Sequence, residues 1–344
     1  MRPAMAITIK DIADYVDVSP STVSKALNDY PGTSAETKSR VLAAAQELGY
    51  YPMAAARDLR RGKTNRIGFL LGYSNTDIGE VAARLITGVV ASAELAGYNI
   101  LLYPMAGDHL RRLTSVCKSG EVDGILLTGS EYLTEAIAIL QKERFPYVVL
   151  NRYIEEPDAS FVTTDHYAAA VASMEHLIEL GHQRIAFLGR PTLGKIHFDR
   201  LAGYHHALRA AQLPLDDTLI LSTINDPSDW VRAMQALLAL QPPPTAVLAF
   251  HDQMAIECIH VVVEAGLQVP DDVAIVGSDD LYSAQVTRPA LTTIHTPFVE
   301  MGRLAMEVLL RRLADPAAPP VRQTLASRVI VRGSTLDTGT GSRR

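Results

Sequence analysis

The sequence predicts a small all-α helix-turn-helix head followed by a larger α/β body of two doubly wound parallel-sheet subdomains. Two patterns predict this fold class. Residues 8–48 show helical periodicity only, whereas from Arg66 onward short apolar runs alternate with amphipathic segments. Apolar runs that alternate with helices are typical of parallel strands covered on both faces. A chain of 344 residues has room for two or three such domains.

Three short helices with brief connections are expected in the head. Thr8 and Asp11 have the spacing of a capping box, and Ser19 before Pro20 is a second start signal for a helix. The third helix is expected to stop at Gly49. The positions expected to face the core of the head are Ile12, Ala13, Val16, Val23, Ala26, Leu27, Val41, Leu42, Ala45 and Leu48.

The second predicted helix carries a small polar face, made of Ser21, Thr22, Ser24, Lys25 and Asn28. Hydroxyls and an amide suit phosphate oxygens, and a long cation can reach a guanine in the major groove. An ordinary solvated helix face carries the same residue types. These residues alone therefore leave both DNA binding and plain solvation open.

A cationic segment follows the head. Pro52 ends the third helix and starts a further helix of about two turns, which is too short to be stable alone. Leu59 lies in this segment between Arg57 and Arg60. A leucine flanked by basic residues is typical of proteins that kink DNA from the minor groove. A cationic interdomain linker that happens to contain a leucine is the alternative.

The body is expected to form a ligand cleft. Two series of strand–helix units separate around residues 150–163. In open parallel sheets, ligands bind outside the carboxyl ends of the strands. The predicted strand ends are Gly72-Tyr73, Thr128-Gly129, Asn151-Arg152, Gly189-Arg190, Phe250-His251-Asp252 and Ser278-Asp279-Asp280.

The charge of the chain is unevenly distributed. The net charge is −6, but residues 1–64 hold nine Lys or Arg against seven Asp or Glu, while residues 65–344 hold 23 against 31. The acidic total averages a slightly basic head with an acidic body. It therefore does not exclude a nucleic-acid binder.

Several classes of protein are excluded. The two cysteines belong to no metal-binding spacing, and the chain has neither a secretory signal nor an apolar run long enough to span a membrane. No phosphate-binding glycine loop, nucleophile elbow or zinc-protease motif is present. We therefore expect a cytoplasmic protein with no cofactor, no metal and no catalytic residue. A sugar-binding enzyme or receptor that uses the head only as an interaction module is the alternative.

Three stretches of the N-terminal third carry a family resemblance: TIKDIADYVDVSPSTVSKALN, SAETKSRVLAAAQELGYYP and AARDLRRGKTNRIGFLL. Together they resemble the lactose/galactose repressor (LacI/GalR) family of bacterial transcription regulators. The resemblance implies that the second helix reads the major groove of a pseudo-palindromic operator and that a hinge helix enters the minor groove. It implies base contacts for Pro20, Ser21 and Lys25, phosphate contacts for Thr22, Ser24 and Asn28, and minor-groove contacts for Arg57, Leu59 and Arg60.

Two residues of the second helix depart from the family pattern. Lys25 stands where arginine is common, and it lacks the planar fork that binds guanine in a bidentate manner. Pro20 replaces a side chain that could reach a base, which leaves van der Waals contact with a thymine methyl. These departures affect the preferred operator bases and not operator binding itself.

The body resembles the effector domain of the same family, which is similar to periplasmic sugar-binding proteins. The stretches ELGHQRIAFLG, RLAGYHHAL, HDQMAIECI, VPDDVAIVGSDDL and RPALTTIHTPFVEMG carry this resemblance. It implies that a small-molecule effector, a sugar or sugar derivative, binds in the cleft. The expected effector-binding residues are Tyr73, Thr128, Asn151, Arg200, Trp230, His251, Asp279 and Thr296.

Three of these residues allow further interpretation. Arg200 matches the arginine of the family's ligand clamp, and an interdomain salt bridge is its alternative role. Trp230 is expected either to stack on a sugar face or to pack against the start of a helix. His251 stands where asparagine is usual, so it changes the set of hydrogen-bond donors.

The expected function is that of a ligand-responsive regulator, a repressor that binds double-stranded operator DNA as a homodimer. The expected divisions are residues 1–51 for the head, 52–64 for the hinge, 65–162 with 292–323 and 163–291 with 324–336 for the two subdomains, and 337–344 for a flexible tail. Residues 65–162 are expected to supply much of the dimer interface. The tail STLDTGTGSRR has no leucine heptad that would form a tetramer.

Overall fold

The computed structural model describes residues 7–28, 30–50, 63–71, 79–104, 109–128, 133–224 and 226–336. It divides the chain into two compact units, Met1–Thr64 and Asn65–Arg344. The first unit contains the head, and the second contains the α/β body. None of the helices in these described ranges is both long and apolar enough to cross a membrane.

The head consists of α1 (Ile9–Val16), α2 (Pro20–Leu27) and α3 (Ala35–Glu47). The predicted capping box is confirmed, because the Thr8 hydroxyl accepts from the Asp11 amide at 3.3 Å and the Asp11 carboxylate accepts from the Thr8 amide at 2.7 Å. The Ser19 hydroxyl accepts from the amide of Thr22 at 3.1 Å and starts α2. Both caps satisfy backbone donors that a helix start leaves without an intrahelical partner.

The core of the head differs from the expected set at α3. Leu42 is 46% exposed, while Ala44 is 3% exposed and occupies an inward position. Positions 41, 44, 45 and 48 follow the i, i+3, i+4, i+7 spacing of one helix face, and position 42 lies about 100° away from 41. The Arg40 guanidinium donates to the carbonyl of Val16 at 2.7 Å and joins α3 to the end of α1.

The body alternates strands and helices along the chain. Its first half comprises β1 (Arg66–Leu71), α4 (Glu80–Leu95), β2 (Asn99–Pro104), α5 (His109–Ser119), β3 (Gly124–Thr128), α6 (Leu133–Lys142), β4 (Tyr147–Leu150) and β5 (Ser160–Thr164). The middle comprises α7 (His166–Glu179), β6 (Ile185–Gly189), a 3₁₀ turn (Pro191–Leu193), α8 (Lys195–Ala210), a second 3₁₀ turn (Asp217–Leu219), β7 (Ile220–Ser222), α9 (Pro227–Leu238) and β8 (Ala246–Ala249). The last part comprises α10 (Asp252–Glu264), β9 (Ala274–Asp279), α11 (Tyr282–Val286), β10 (Thr292–His295), α12 (Phe298–Ala314), β11 (Arg322–Leu325) and β12 (Arg328–Ile330).

The strands form two six-stranded sheets. The first sheet has the order β11-β5-β4-β3-β1-β2 and is parallel throughout. The second has the order β12-β10-β9-β8-β6-β7, and only its edge strand β12 is antiparallel. We call the first sheet with its helices the first lobe and the second sheet with its helices the second lobe. Strand order reverses within each sheet, as in doubly wound folds.

The chain passes between the lobes three times: after β5, between β10 and α12, and between β11 and β12. The strand Thr292–His295 therefore lies in the second lobe, although its residues were expected in the first. The expected divisions at 162/163 and 323/324 fall inside β5 and β11. Sheet membership depends on pairing with strands that are distant in sequence, which local periodicity does not indicate.

Two helices of the first lobe pack unusually closely. A Cβ atom placed on Gly302 of α12 would lie 2.2 Å from the carbonyl oxygen of Leu85 in α4, and one on Gly88 would lie 1.9 Å from that of Val299. Both distances are far below van der Waals contact and involve backbone atoms. The two glycines therefore permit a contact between α4 and α12 that no larger residue allows.

We expect Gly302→Ala to lower the free energy of unfolding by about 1–3 kcal/mol, because the added methyl group forces the two helix backbones apart. Thermal and urea unfolding followed by circular dichroism measure this loss. Gly79→Ala is the matched control, since a Cβ there meets no atom within 4 Å. Equal stability of the two variants would contradict the close packing.

Candidate DNA interface and effector site

The polar face predicted on α2 is present at the surface of the head. Pro20, Ser21 and Lys25 are exposed. The three residues expected to contact phosphates, Thr22, Ser24 and Asn28, are partly exposed. Val23 and Ala26 point the other way, into the head core. Helix α2 thus presents one polar face, while its apolar face is buried.

The polar groups of this face are partly engaged with the helix itself. The Ser19 hydroxyl is 2.9 Å from the Ser21 hydroxyl and 2.8 Å from the Thr22 hydroxyl. The Asn28 side-chain amide donates to the carbonyl of Ser24 at 2.7 Å. Lys25 makes no hydrogen bond or ion pair with any residue that the structure describes. Unlike the hydroxyls and the amide of this face, its ammonium group therefore has no described partner that an external acceptor would have to displace.

Four of the expected contact residues lie outside the described residues. They are Arg57, Leu59 and Arg60 of the hinge, and Tyr73 after β1.

The second candidate site lies in the body, at the carboxyl ends of the strands. Several buried polar side-chain atoms there have no hydrogen-bond partner. Because such atoms are rare in folded proteins, their occurrence at several strand ends indicates a ligand site there. The atoms are Asn151 Oδ1 after β4, Thr163 Oγ1 in β5, His166 Nε2 at the start of α7, Arg200 Nε in α8 and Ser278 Oγ in β9.

Arg200 lies in the interior of the second lobe and is 7% exposed. One guanidinium nitrogen donates to the carbonyl of Phe250, and the guanidinium carbon lies 4.4 Å from the centroid of the Phe250 ring. Burial lowers the pKa of Arg200, while the nearby charges of Asp279 and Asp252 oppose this shift. The phenyl ring and the carbonyl hold the guanidinium in place and leave Nε without a partner.

Asp279 faces Arg200 at the end of β9. Burial raises the pKa of Asp279 to about 8, although the charge of Arg200 lowers it and that of Asp252 raises it further. Its φ of 122° places its backbone in a region that favours glycine. A carboxylate on a strained backbone, beside a buried arginine, is a feature of functional sites.

Asp280, the next residue, has a structural role. Its carboxylate accepts from Arg332 at 2.5 Å and from His295 Nδ1 at 2.8 Å. Burial would raise the pKa of Asp280, but the hydrogen bonds from Arg332 and His295 outweigh burial and hold the pKa below its ordinary value. Two adjacent carboxylates therefore have opposite environments.

His251 caps α10 and packs against Trp230. Its Nδ1 accepts from the amide of Met254 at 3.0 Å, so Nε2 carries the proton of the neutral ring. Burial, followed by the charges of Arg190 and Arg200, lowers the pKa of His251 to about 3. A neutral imidazole therefore offers one N–H donor at this strand end.

Trp230 occupies the core of the second lobe and is 4% exposed. Its Nε1 donates to the carbonyl of Ile224 at 2.8 Å, and its ring meets that of His251 edge-to-face at 4.9 Å. With so little of its surface exposed, the ring supports His251 and is not a stacking platform. The packing alternative describes Trp230 better than the stacking alternative.

The remaining expected residues lie at strand ends. Asn151 has a φ of 56° and an unpaired buried carbonyl oxygen on its side chain. Thr128 is 1% exposed, with its hydroxyl 3.5 Å from the carbonyl of Leu70 on the neighbouring strand. Thr296 is 3% exposed and directly follows β10. The sequence pattern correctly indicates strand ends, but Thr128 and Thr296 are almost completely buried.

His166 was not expected in the site. It is 7% exposed, and burial lowers its pKa well below the ordinary value, with further contributions from the charges of Arg200, Arg152 and Lys195. The signal in the sequence is its position directly after the strand SFVTTD. A polar residue after an apolar run marks a strand end, but this pattern does not distinguish a ligand-binding histidine from one with a structural role.

The described residues contain no group of three or more His, Cys, Asp or Glu that could hold a metal ion. The arrangement at the strand ends consists of fixed donors and acceptors. Its chemistry is that of recognition by hydrogen bonds and charge.

A three-helix head with a polar second helix, joined to a two-lobed α/β body with a polar site at its strand ends, defines a DNA-binding regulator with a ligand domain. The model for bacterial regulatory proteins of the lacI family matches residues 8–53, and the model for a periplasmic binding protein-like domain matches residues 174–335. The chain belongs to the lacI family of bacterial regulatory proteins.

Two similar repressors align with almost the whole chain. The HTH-type transcriptional repressor PurR of Klebsiella pneumoniae (strain 342) is 32% identical over 334 residues, which cover 96% of this chain and 97% of the relative. PurR of Escherichia coli O139:H28 is 33% identical over 335 residues, with the same coverage. The chain is therefore a DNA-binding transcriptional repressor and not an enzyme.

Solved structures with a similar fold include members of this family that align with almost the whole chain. The lac repressor dimer bound to operator and the anti-inducer ONPF has a TM-score of 0.83 and 26% identity, covering 96% of this chain and 99% of that one. The transcriptional regulator CelR in complex with cellobiose has a TM-score of 0.74 and 29% identity, covering 95% and 99%. Repressors of this family bind operator DNA and small-molecule effectors and act as dimers.

We expect Asp279→Asn to reduce the loss of stability between about pH 4 and about pH 8. The raised pKa of Asp279 means that the folded chain holds a proton that the unfolded chain releases, from the ordinary value of 3.8 up to about 8. Its contribution to stability therefore falls as pH rises through that range. Thermal unfolding at several pH values measures the change.

Asp280→Asn is the contrasting variant. It removes the ion pair to Arg332 and the hydrogen bond to His295, so we expect a loss of about 1–3 kcal/mol in the free energy of unfolding near neutral pH. A pH dependence of Asp279→Asn equal to that of the unaltered chain, or an unchanged stability of Asp280→Asn, would contradict the opposite environments of the two carboxylates.

Proposed function

We propose that this repressor binds a pseudo-palindromic operator as a homodimer and that a small polar molecule at the strand ends of the body controls its operator affinity. The observation that carries the effector role is the group of buried, unpaired polar atoms at those strand ends. We propose a sugar or sugar derivative as the effector. The compartment of action is the cytoplasm, where bacterial DNA lies.

On the DNA side, α2 reads the major groove. Lys25 extends from the exposed face and donates to a guanine, while Ser21 and Pro20 contact neighbouring bases. The residues proposed to bind phosphates are Thr22, Ser24 and Asn28, and those proposed to enter the minor groove are Arg57, Leu59 and Arg60. A two-fold symmetric operator requires two copies of this head.

The first lobe offers a surface on which two copies can associate. Leu95 at the end of α4 is 92% exposed, and Val90 in the same helix and Leu102 in the edge strand β2 are each 42% exposed. Apolar side chains on an edge strand and the adjacent helix are typical of an interface. The similar lac repressor structure is that of a dimer bound to operator, which supports the same assembly.

On the effector side, the donors and acceptors match a polyhydroxylated molecule. Arg200 Nε–H and His251 Nε2–H donate, while Asp279 and the Asn151 carbonyl oxygen accept. Such a set binds vicinal hydroxyls with defined direction. The similar CelR structure contains cellobiose, and a LacI family regulator from Enterococcus faecium with a TM-score of 0.71 contains ribose, which supports a sugar-like ligand.

We expect Lys25→Ala to weaken binding to the natural operator by roughly 10–100-fold, because one direct base contact contributes about 1–3 kcal/mol. Fluorescence anisotropy with operator and scrambled duplexes at fixed salt measures this loss. Lys142→Ala, an exposed cation on α6, is the control. Unchanged operator affinity in Lys25→Ala would argue against the role of α2. Equal affinity for the full operator and for one half-site would contradict the dimer.

We expect Arg200→Gln to weaken effector binding by roughly 10–100-fold, because charge-assisted hydrogen bonds contribute about 1.5–3 kcal/mol each. Calorimetric titration of a panel of sugars, sugar phosphates and nucleobases, with and without operator, identifies the ligand. Arg232→Gln is the control, since Arg232 is exposed and contacts Asp229 and Ser228 on its own helix, α9. A ligand that binds equally well with and without operator would contradict effector control, because such coupling is reciprocal.

A further inference from the structure

We propose that the effector carries a negatively charged group, a phosphate ester or a carboxylate, that binds between Arg152, Lys195 and the N-terminus of α8. The polar remainder of the molecule then faces Asp279. This inference deepens the proposed function and rests on it, since it names the class of molecule that the effector site takes.

Contacts between the two lobes bring two cations together. Arg152 follows β4 in the first lobe, and its guanidinium donates to the carbonyl of Leu193 in the second lobe. Lys195 lies two residues after Leu193, and its ammonium group is 5.0 Å from the ring centroid of Tyr153. Two independent contacts therefore hold cations from opposite lobes side by side at the strand ends.

The N-terminus of α8 lies at the same place. This helix of 16 residues begins at Lys195, its N-cap is Gly194, no side chain caps it, and its first turn contains no acidic residue. The first backbone N–H groups of such a helix have no intrahelical acceptor, and the helix dipole adds positive potential there. Both features favour an anion.

Buried and unpaired side chains provide the second, independent observation. His166 and Arg200 are each 7% exposed, and His166 Nε2 and Arg200 Nε are buried without a hydrogen-bond partner. Burial and the charges of Arg200, Arg152 and Lys195 lower the pKa of His166, which places its imidazole among these three cations. An anion here accepts from Arg200 and also allows His166 to take up a proton and become a second donor.

The carboxylates described near Lys195 and Arg200 differ in how much negative charge they carry. Asp199 pairs with Lys195 at 2.8 Å, one turn into α8. Burial raises the pKa of Asp279 to about 8, so Asp279 is mostly protonated at neutral pH, whereas Asp252, with a pKa raised to about 6, stays largely ionised. The protonation of Asp279 therefore reduces the negative charge beside Arg200, although the body as a whole is acidic.

The experiment uses the full-length chain and inorganic phosphate as the probe, followed by isothermal titration calorimetry at constant ionic strength. We expect saturable binding that weakens roughly tenfold in both Arg152→Gln and Lys195→Gln, the loss of about one charge-assisted hydrogen bond. Lys195 is partly exposed, so its replacement leaves the fold intact even if that of Arg152 loosens the contact between the lobes. Lys142→Gln, an exposed cation on α6, is the matched control and keeps the unaltered affinity.

A second arm compares uncharged sugars with their phosphate esters and with the corresponding sugar acids. Tighter binding of the phosphate ester identifies a phosphate source, and tighter binding of the acid identifies a carboxylate; either result supports the inference. Absence of phosphate binding, or equal phosphate binding in all variants, overturns it. An uncharged ligand that depends on Arg200 and alters operator affinity also overturns the inference but leaves the proposed effector control standing. Operator affinity that no bound ligand changes overturns the proposed function itself.

Discussion

The carboxylate of Asp252 holds together three segments of the second lobe that border the candidate effector site. Asp252 is 0% exposed; one of its oxygens accepts from the amide of Leu281 at 2.8 Å, and the other accepts from the hydroxyl of Thr293. A Cβ on Gly277 would lie 2.4 Å from this carboxylate, so only glycine fits there. A buried carboxylate is tolerated only where donors surround it. Asp252 therefore fixes the start of α10, the turn after β9 and the strand β10 relative to one another.

The two adjacent aspartates in the turn after β9 have different partners. Asp279 and Asp280 have φ values of 122° and 53°, both in the region where residues other than glycine are strained. Asp280 is held by His295, which ends β10 just before the passage to α12, and by Arg332, which follows β12. Asp279 remains directed toward Arg200. The same turn thus carries a candidate ligand-binding carboxylate, Asp279, next to a carboxylate that is bound to the end of β10, from which the chain returns to the first lobe.

The sequence predicts most of the fold because local signals determine it. The capping box at Thr8 and the Ser19-Pro20 start place α1 and α2 correctly, and the alternating apolar runs identify the parallel strands. Periodicity failed at one position of α3, where Leu42 was expected in the core and Ala44 occupies that face instead. The site is less predictable, because it depends on distances between segments far apart in sequence. Family resemblance makes Asp279 and Arg200 candidate site residues. The charges of Arg200, Arg152 and Lys195 around His166, and the packing of Trp230 against His251, depend instead on contacts between segments that are distant in sequence.

The unpaired polar atoms at the strand ends cost stability, and a ligand bound at the candidate effector site would offset that cost. Each buried polar atom without a partner costs about 1–3 kcal/mol relative to a hydrogen-bonded one. Replacing Asn151, His166 or Arg200 with apolar residues would remove that cost, yet the chain keeps all three. A ligand that hydrogen-bonds to them recovers this energy only in the folded body, so binding stabilises the fold as well as the complex. In the proposed regulation, an effector that recovers this free energy in only one arrangement of the lobes favours that arrangement, which is the requirement for control of a second site.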